Sequence, residues 1–483
     1  MPVPATGTAR LLAGGDRGPD ALRPMVDTVL DALAHGAADR SGPLPSGGPD
    51  AVARRVRAVA EPLIPDVGEG APLALRTLVR AFAAGAADPA DPRCAAHLHC
   101  PPLAVAAAAD LAVSALNPSL DSWDQAPAAS ELEALTCRAL AALVHPRGPA
   151  PDALVTTGGT EANQLALLLA REAARTTVPA GPSTGPRIIC GANAHHSVHR
   201  GAWLLGLPAP LTLPTPAGVL DPVRLADALA PQTGHTASAS ASASGPVLVV
   251  ATAGTTDSGA IDPLPALADV CERHGAALHV DASYGGPLLF SDTHRHRLTG
   301  LDRARSVTLD LHKLGWQPVA AGLLTVPDAP ALAPLDHRAD YLNADDDTES
   351  GIPDLLGRSL RTTRRPDVLK VAVTLRALGR RGLGDLVDHV CAAAHQLADL
   401  IEAHPRLELH ARPTISTVLF RPTGAGPAAV AALRRRLLTE GRAVLGRATT
   451  ADGLWLKATV LNPHTQPADL RGLLALVEGD STP

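Results

Sequence analysis

AALHVDASYGGPLLFSDTHRHRLTGLDRARSVTLDLHKLGW (276–316) contains two short apolar runs, AALHVDAS (276–283) and SVTLDLHK (306–313). Each is too short for a helix of ordinary length and ends on polar residues, so each reads as a buried strand with chemistry at its carboxyl end. Just upstream, PLPALADVCERHG (263–275) predicts a helix, with Asp262 as N-cap, Pro263 in the first turn and Gly275 as the stop. RIICGANA (187–194), PVLVVATAG (246–254) and AGLLTV (321–326) add further apolar strands. A turn begins at Val155, and TEANQLALLLAREAAR (160–175) follows as an amphipathic helix with Thr160 as its N-cap. Apolar strands separated by helices predict an α/β fold with a mainly parallel sheet covered on both faces. Ligands bind such sheets at the carboxyl ends of the strands.

Around this core the pattern changes. Residues 1 to about 90 are rich in Ala, Pro and Gly, with helices predicted over 21–35 and 50–63, and further helices over 103–116 and 128–144. Long helices over 366–381 and 383–403 lead into strands at 406–420 and 453–461 with a helix over 426–440, which fits a small C-terminal domain. TTVPAGPSTGP (176–186) and TASASASASG (236–245) read as exposed loops without chemistry.

Composition narrows the function. The chain has 483 residues, enough for a large core and a satellite domain, and 46% are hydrophobic. No run is long and apolar enough to predict a membrane span, and the N-terminus lacks a secretory signal. A formal charge of −6 gives no footprint for nucleic acid or an anionic membrane. The six irregularly placed cysteines read as reduced thiols in a cytoplasmic protein.

Of the 42 basic residues only three are lysines: Lys313, Lys370 and Lys457. Arginine preserves charge, but it cannot replace an amine that must become neutral and attack. Lys370, in VLKVAVTLRALG, reads as a helix residue snorkelling from one face. Lys457, in the alternating GLWLKATVL, reads as pointing out of a strand. Lys313 lies beside His312 at a strand end, 32 residues beyond Asp281.

Other strand ends carry matching polar groups. TTGGTEAN (156–163) sets Gly158, Gly159 and Thr160 at a helix start, where backbone N–H groups and a hydroxyl suit a phosphate. Asp281 reads either as a turn carboxylate or as the partner of a protonated pyridine nitrogen. AHHSVHR (194–200) offers His195, His196 and His199, and CAAHLHC (94–100) looks superficially like a zinc cluster. Neither has a metal-ligand set at recognised spacing, so no metal is expected, and an imidazole stacked on a flat ring is the better use of AHHS. Thr255 and Thr256, in ATAGTTDSGAIDPL (251–264), are turn hydroxyls or ring contacts.

Taken in order, TTGGTEAN, AHHS, ATAGTTDSGAIDPL, HVDASYGG (279–286) and SVTLDLHK resemble the group II pyridoxal-5′-phosphate (PLP)-dependent amino-acid decarboxylases from about residue 90 to 475. The resemblance implies PLP as cofactor and fold type I, the aspartate-aminotransferase type, with a seven-stranded sheet and a small C-terminal α/β domain. It implies that Lys313 is the Schiff-base lysine, Asp281 the pyridine partner and His195 the stacking ring. Gly158, Gly159 and Thr160 would hold phosphate with help from His312, and Thr256 and Ser283 would lie near the cofactor. It also implies a homodimer with active sites at the interface. Residues 1–125 would form a helical segment packed on the partner, 126–375 the large PLP-binding domain and 376–483 the small domain.

HLHCPPLAVAAAADLAVSALNPSLDSWDQAPAASELE (97–133), YLNADDD (341–347), GRSLRTTRRPDVLKVAVTLRALG (357–379) and WLKATVLNPHTQPADL (455–470) look most like the bacterial 2,4-diaminobutyrate and lysine decarboxylase branch. That implies a diamino acid substrate, with Asp121, Asp124 and Gln125 as candidate walls for its cationic side chain. There are departures. The family's aromatic branch uses a mobile-loop tyrosine as proton donor, and neither Tyr284 nor Tyr341 sits clearly in that place. HKLGW replaces that branch's HKW, and Pro366 replaces an aromatic residue. An aromatic or aliphatic substrate therefore stays open. So does a transaminase or lyase of the same fold, with Arg364 or Arg365 holding the α-carboxylate. A non-catalytic homologue would be expected to lack the lysine or the aspartate, and both are present.

Overall fold

The computed structural model describes residues 12–177, 185–230, 245–337, 339, 342 and 344–479. Its centre is a seven-stranded sheet of β1 (Asp152–Thr156), β2 (Arg187–Gly191), β3 (Leu211–Leu213), β4 (Val247–Thr252), β5 (Ala277–Ala282), β6 (Ser306–Asp310) and β7 (Gly322–Val326). The strand order is β1-β7-β6-β5-β4-β2-β3. Strands β2 to β6 run parallel, and β7 is antiparallel to both β1 and β6.

Strand periodicity divides the core. In β4, Val249 and Ala251 face one cluster with the helices Pro127–Val144, Leu264–Arg273 and the first half of Val368–Glu402. Leu248 and Val250 face the other side, against Leu167 of helix Gly159–Thr177 and against helix Ser197–Leu204. All five residues of β6 are buried, as expected of a strand covered on both faces.

A second sheet, β8 (Leu407–Leu409), β9 (Thr417–Pro422), β10 (Gly446–Thr450) and β11 (Gly453–Thr459), is antiparallel in the order β10-β11-β9-β8. It packs on helices Pro427–Thr439 and Pro467–Glu478. Helix Val368–Glu402 joins the two cores, with Val371 and Val387 in the first and Leu397 and Ile401 in the second. The sequence pattern predicts two helices here. The structure has two helical stretches meeting at a kink at Gly379 within Val368–Glu402, and the φ of 63° there is available at little steric cost only to glycine.

Before the core come helices Gly18–Arg40, Gly48–Ala60 and Ala71–Gly85; the third was not predicted. Ile64 and Val67, between the second and third of these helices, and Phe82, in the third, are exposed by 90%, 85% and 76%. Among the described residues no helix is long and apolar enough to cross a membrane.

Several local expectations are corrected. Val155 lies inside β1 rather than at a turn, and Thr160 is the second residue of its helix rather than the N-cap. Asp262 does not cap its helix. Its carboxylate accepts from the Thr252 and Leu220 backbone N–H groups and from Asn193 Nδ2, tying β4 to the neighbouring loops. Gly275 does end the segment, at φ 64°. Lys370 does not snorkel: it is fully buried, 3.0 Å from Asp367 and 3.4 Å from Asp110. Lys457 does not point out: it is buried and donates to the Thr256 carbonyl at 3.0 Å. Most of the two low-complexity loops, 178–184 and 231–244, and Tyr341 lie outside the described residues.

His145, at the end of helix Pro127–Val144, is fully buried with Nε2 at 3.0 Å from Thr325 Oγ1. Burial pushes its pKa from 6.5 down to about 4, and the same cause brings His279 to about 4. Below pH 6.5 the unfolded chain takes up protons that the fold refuses, so stability falls as pH drops toward 4 and levels off below it. We expect the melting midpoint to decline across this window in calorimetric scans. His145→Gln should make the dependence shallower by up to about one proton.

Candidate active site

The carboxyl ends of β1, β2, β4, β5 and β6 open onto one cavity of about 340 Å³. Its walls include Gly158, Gly159 and Thr160 after β1, His195 after β2 and Thr256 after β4. Asp281 and Ser283 come from the end of β5, and His312 and Lys313 follow β6. The volume falls in the range of small-molecule and cofactor sites. All nine residues expected around a cofactor are therefore brought together.

The cradle at Gly158 and Gly159 depends on missing side chains. A Cβ on Gly159 would lie 2.2 Å from Ser283 Oγ, and one on Gly158 would lie 3.0 Å from His312 Cε1. Gly322, at the start of β7, lets this loop pass close by, since its Cβ would sit 2.5 Å from Gly158 Cα. The backbone here opens helix Gly159–Thr177, where N–H groups without helical partners converge. Glu161, in the first turn, accepts from the Thr157 N–H and hydroxyl, both at 2.7 Å.

Asp281 is the most constrained group. Its Oδ1 accepts from Ser283 N at 3.0 Å and Ser283 Oγ at 2.6 Å, and its Oδ2 accepts from Asn163 Nδ2 at 2.8 Å. Burial alone would push its pKa up. The hydrogen bonds of Ser283 and Asn163 and the charge of Lys313 outweigh that and hold it below the usual carboxylate value. The group stays charged at neutral pH, with capacity left on Oδ2 to accept one more hydrogen bond.

Asp310 was not singled out from the sequence, and it proves central. It is almost fully buried; its Oδ2 accepts from Gly159 N at 3.2 Å and lies 3.4 Å from Lys313 Nζ. Its Oδ1 lies 2.5 Å from His312 Nδ1. Asn163 was also missed, though it follows Gly159 by four residues and shares its helix face. The strands carried a signal for both. Ser306, Thr308 and Asp310 alternate with apolar residues in β6, as His279 and Asp281 do in β5. A buried strand with a polar face is unusual and points to a network.

Other expected residues lie elsewhere. Asp121, Asp124 and Gln125 do not line the cavity of this chain. Asp124 and Gln125 are exposed and bonded to Ser122 Oγ, at 2.5 and 2.9 Å, within a turn of their own. Arg364 is buried against Glu133 at 2.9 Å, Arg365 pairs with Asp110 at 2.7 Å, and neither reaches the cavity. Tyr284 reaches it, but its hydroxyl is held between Ser416 Oγ at 2.8 Å and Thr417 Oγ1 at 3.0 Å. His199 lies near Cys190 and Thr212 rather than beside His195.

Residues 64–423 match the pyridoxal-dependent decarboxylase conserved domain. The chain is 37% identical over 457 residues to an L-2,4-diaminobutyrate decarboxylase of Rhizobium meliloti (strain 1021), covering 93% of this chain and 88% of that protein. It is 33% identical over 434 residues to the L-2,4-diaminobutyrate decarboxylase of Acinetobacter baumannii, covering 85% and 84%. Among solved structures it resembles the glutamate decarboxylase domain of diaminobutyrate-pyruvate transaminase and L-2,4-diaminobutyrate decarboxylase from Vibrio parahaemolyticus. The TM-score there is 0.85 at 31% identity, over 99% of both chains. Oryza sativa TDC, solved with PLP and tryptamine, aligns with a TM-score of 0.84 at 25% identity over 96% of this chain and 98% of that one. A conserved domain over most of the chain, near full-length relatives and a shared fold lead to one conclusion: this protein belongs to the pyridoxal-dependent decarboxylase family and is a PLP-dependent amino-acid carboxy-lyase.

Proposed function

We propose that the protein decarboxylates a diamino acid, with L-2,4-diaminobutyrate as first choice and lysine or ornithine as alternatives, at the cavity where Lys313, Asp281 and the Gly158–Gly159 cradle converge. That convergence is the observation that carries the reading. The amine, the buried anion and the backbone cradle sit on three different segments, yet line one space. The preference for a diamino acid rests on the two bacterial relatives.

The cavity suits PLP by its own chemistry. Asp281 keeps an accepting position for a pyridine N–H. The Cβ-less cradle at a helix N-terminus suits a phosphate, with Thr160 and His312 beside it. Lys313 is partly exposed to the cavity and is the only one of the three lysines that lines it. Bound PLP supplies the electron sink that lets the bond between Cα and the carboxylate break.

The chain's own residues shape that chemistry. Lys313, whose amine lines the cavity, would hold the cofactor through its Nζ. Asp281 holds the ring-nitrogen proton because Ser283 and Asn163 keep the carboxylate charged. His195 would cover the ring from one wall of the cavity, with Ser283 and Thr256 in the lining beside it. With Arg364 and Arg365 committed elsewhere, neither clamps the α-carboxylate, which favours its departure. Leu98 and Val319 add apolar side chains to the lining.

The domain reading is an N-terminal helical segment (1–125), a large PLP-binding domain (126–375) and a small domain (376–483). The apolar surface left on the N-terminal helices suits packing against a second copy, giving a homodimer with sites at the interface.

Purified holoprotein incubated with L-2,4-diaminobutyrate, lysine, ornithine, glutamate and tryptophan should release carbon dioxide and the matching diamine from a diamino acid. Mass spectrometry reads both products. Lys313→Ala should lower the rate by roughly 10³-fold or more. Release from tryptophan or glutamate alone would refute the diamino acid reading, and a keto acid without carbon dioxide would refute decarboxylation. Gly159→Ala should weaken PLP binding by at least about tenfold in fluorescence titrations, because its methyl displaces Ser283 and narrows the cradle.

A further inference from the structure

We propose that Asn163 sets the hydrogen-bond polarity of the site, fixing His195 as the tautomer with its proton on Nε2. The inference rests on the PLP-dependent reading above and extends it to two residues outside the cofactor set, Asn163 and Ser197, which act as positioning residues.

Asn163 is 1% exposed and makes four contacts. One side of its amide meets Asp281 Oδ2 and Ser197 Oγ, both at 2.8 Å. A charged carboxylate can only accept, so that side must be the NH₂ group. The other side, Oδ1, accepts from Thr308 Oγ1 at 2.7 Å and faces His279 Nε2 at 3.1 Å. His279 Nδ1 in turn lies 2.8 Å from Ser306 Oγ and 3.1 Å from the Ser306 carbonyl oxygen, and burial lowers the pKa of the ring to about 4. A flipped amide would set oxygen against Asp281 and leave the Thr308 hydroxyl without this acceptor.

Both Asn163 N–H bonds are then spent. Ser197 Oγ accepts one of them, and its own hydrogen points to the remaining neighbour, His195 Nδ1, at 2.9 Å. The Ser197 backbone N–H approaches the same nitrogen at 3.3 Å. Two donors converge on Nδ1, so Nδ1 carries a lone pair and Nε2 carries the proton. His195 therefore offers the cavity an N–H donor and not a base. Burial lowers its pKa, and of the charged and titratable neighbours Asp281 opposes this while His196 and Lys313 add to it. The pyridine-facing carboxylate and the covering imidazole thus share one relay, Asp281–Asn163–Ser197–His195.

The test reads the ring directly. In ¹⁵N-histidine-labelled apoprotein, with His195 assigned through His195→Gln, long-range ¹H–¹⁵N spectra should show a single Nε2–H tautomer. Ser197→Ala removes the hydroxyl arm alone. It should mix the tautomers, raise the His195 pKa by about 0.5–1 unit and change PLP affinity by less than about threefold. Asn163→Leu removes both arms and should in addition weaken PLP binding by about tenfold or more. If that variant does not fold, Ser197→Ala decides. An Nδ1–H tautomer in the wild type, or an unchanged ring in Ser197→Ala, overturns the proposal. Wild-type protein that fails to bind PLP overturns the cofactor reading instead and leaves the apoprotein spectra to judge the relay.

Discussion

The site is organised around a negative charge held inside the protein. An isolated carboxylate transferred to an apolar interior costs tens of kcal/mol by simple solvation arguments, so a buried Asp281 needs compensation. It comes from three hydrogen bonds and a nearby ammonium, and hydrogen bonds to charged groups are worth about 1.5–3 kcal/mol each. The compensating groups come from separate elements: Ser283 follows β5, Asn163 sits on helix Gly159–Thr177, and Lys313 follows β6. The sheet must hold its order and register for these to meet. Asp281 pairs with Thr308 across β5 and β6, and Thr308 in turn bonds Asn163.

The small domain is tied to this arrangement. Lys457 of β11 donates to the carbonyl of Thr256, and Tyr284 reaches from the cavity wall to Ser416 and Thr417. Burial pushes the Lys457 pKa down, with Asp257 partly countering it. Gly446 leaves room for the side chain, since a Cβ there would lie 2.8 Å from Lys457 Cε. The Thr256 loop is thus braced from the C-terminal sheet, and cavity shape depends on both cores.

Much of this was legible in the sequence. Apolar runs ending on Asp281 and His312 predict strands delivering chemistry at one edge, and the scarcity of lysine isolates Lys313. The failures have physical reasons. Lys370 and Lys457 looked like surface residues because one apolar face of a helix or strand does not reveal a buried ionic or carbonyl partner far along the chain. Asp262 looked like a cap because it precedes a helix, whereas its acceptors are used by β4 and the segment before Pro222. Asp310 and Asn163 escaped notice because their importance lies in contacts across more than a hundred residues. Polar alternation within β5 and β6 was the local clue to both.

Lys313 is the proposed covalent anchor on which the rest of the site's chemistry depends. Reducing the PLP-loaded protein with borohydride and mapping the modified peptide by mass spectrometry reads this directly, because the chain offers only three lysines. The structure predicts one reduced adduct, on the peptide containing Lys313. An adduct on Lys370 or Lys457, both buried and committed to other partners, would contradict the assignment of the site.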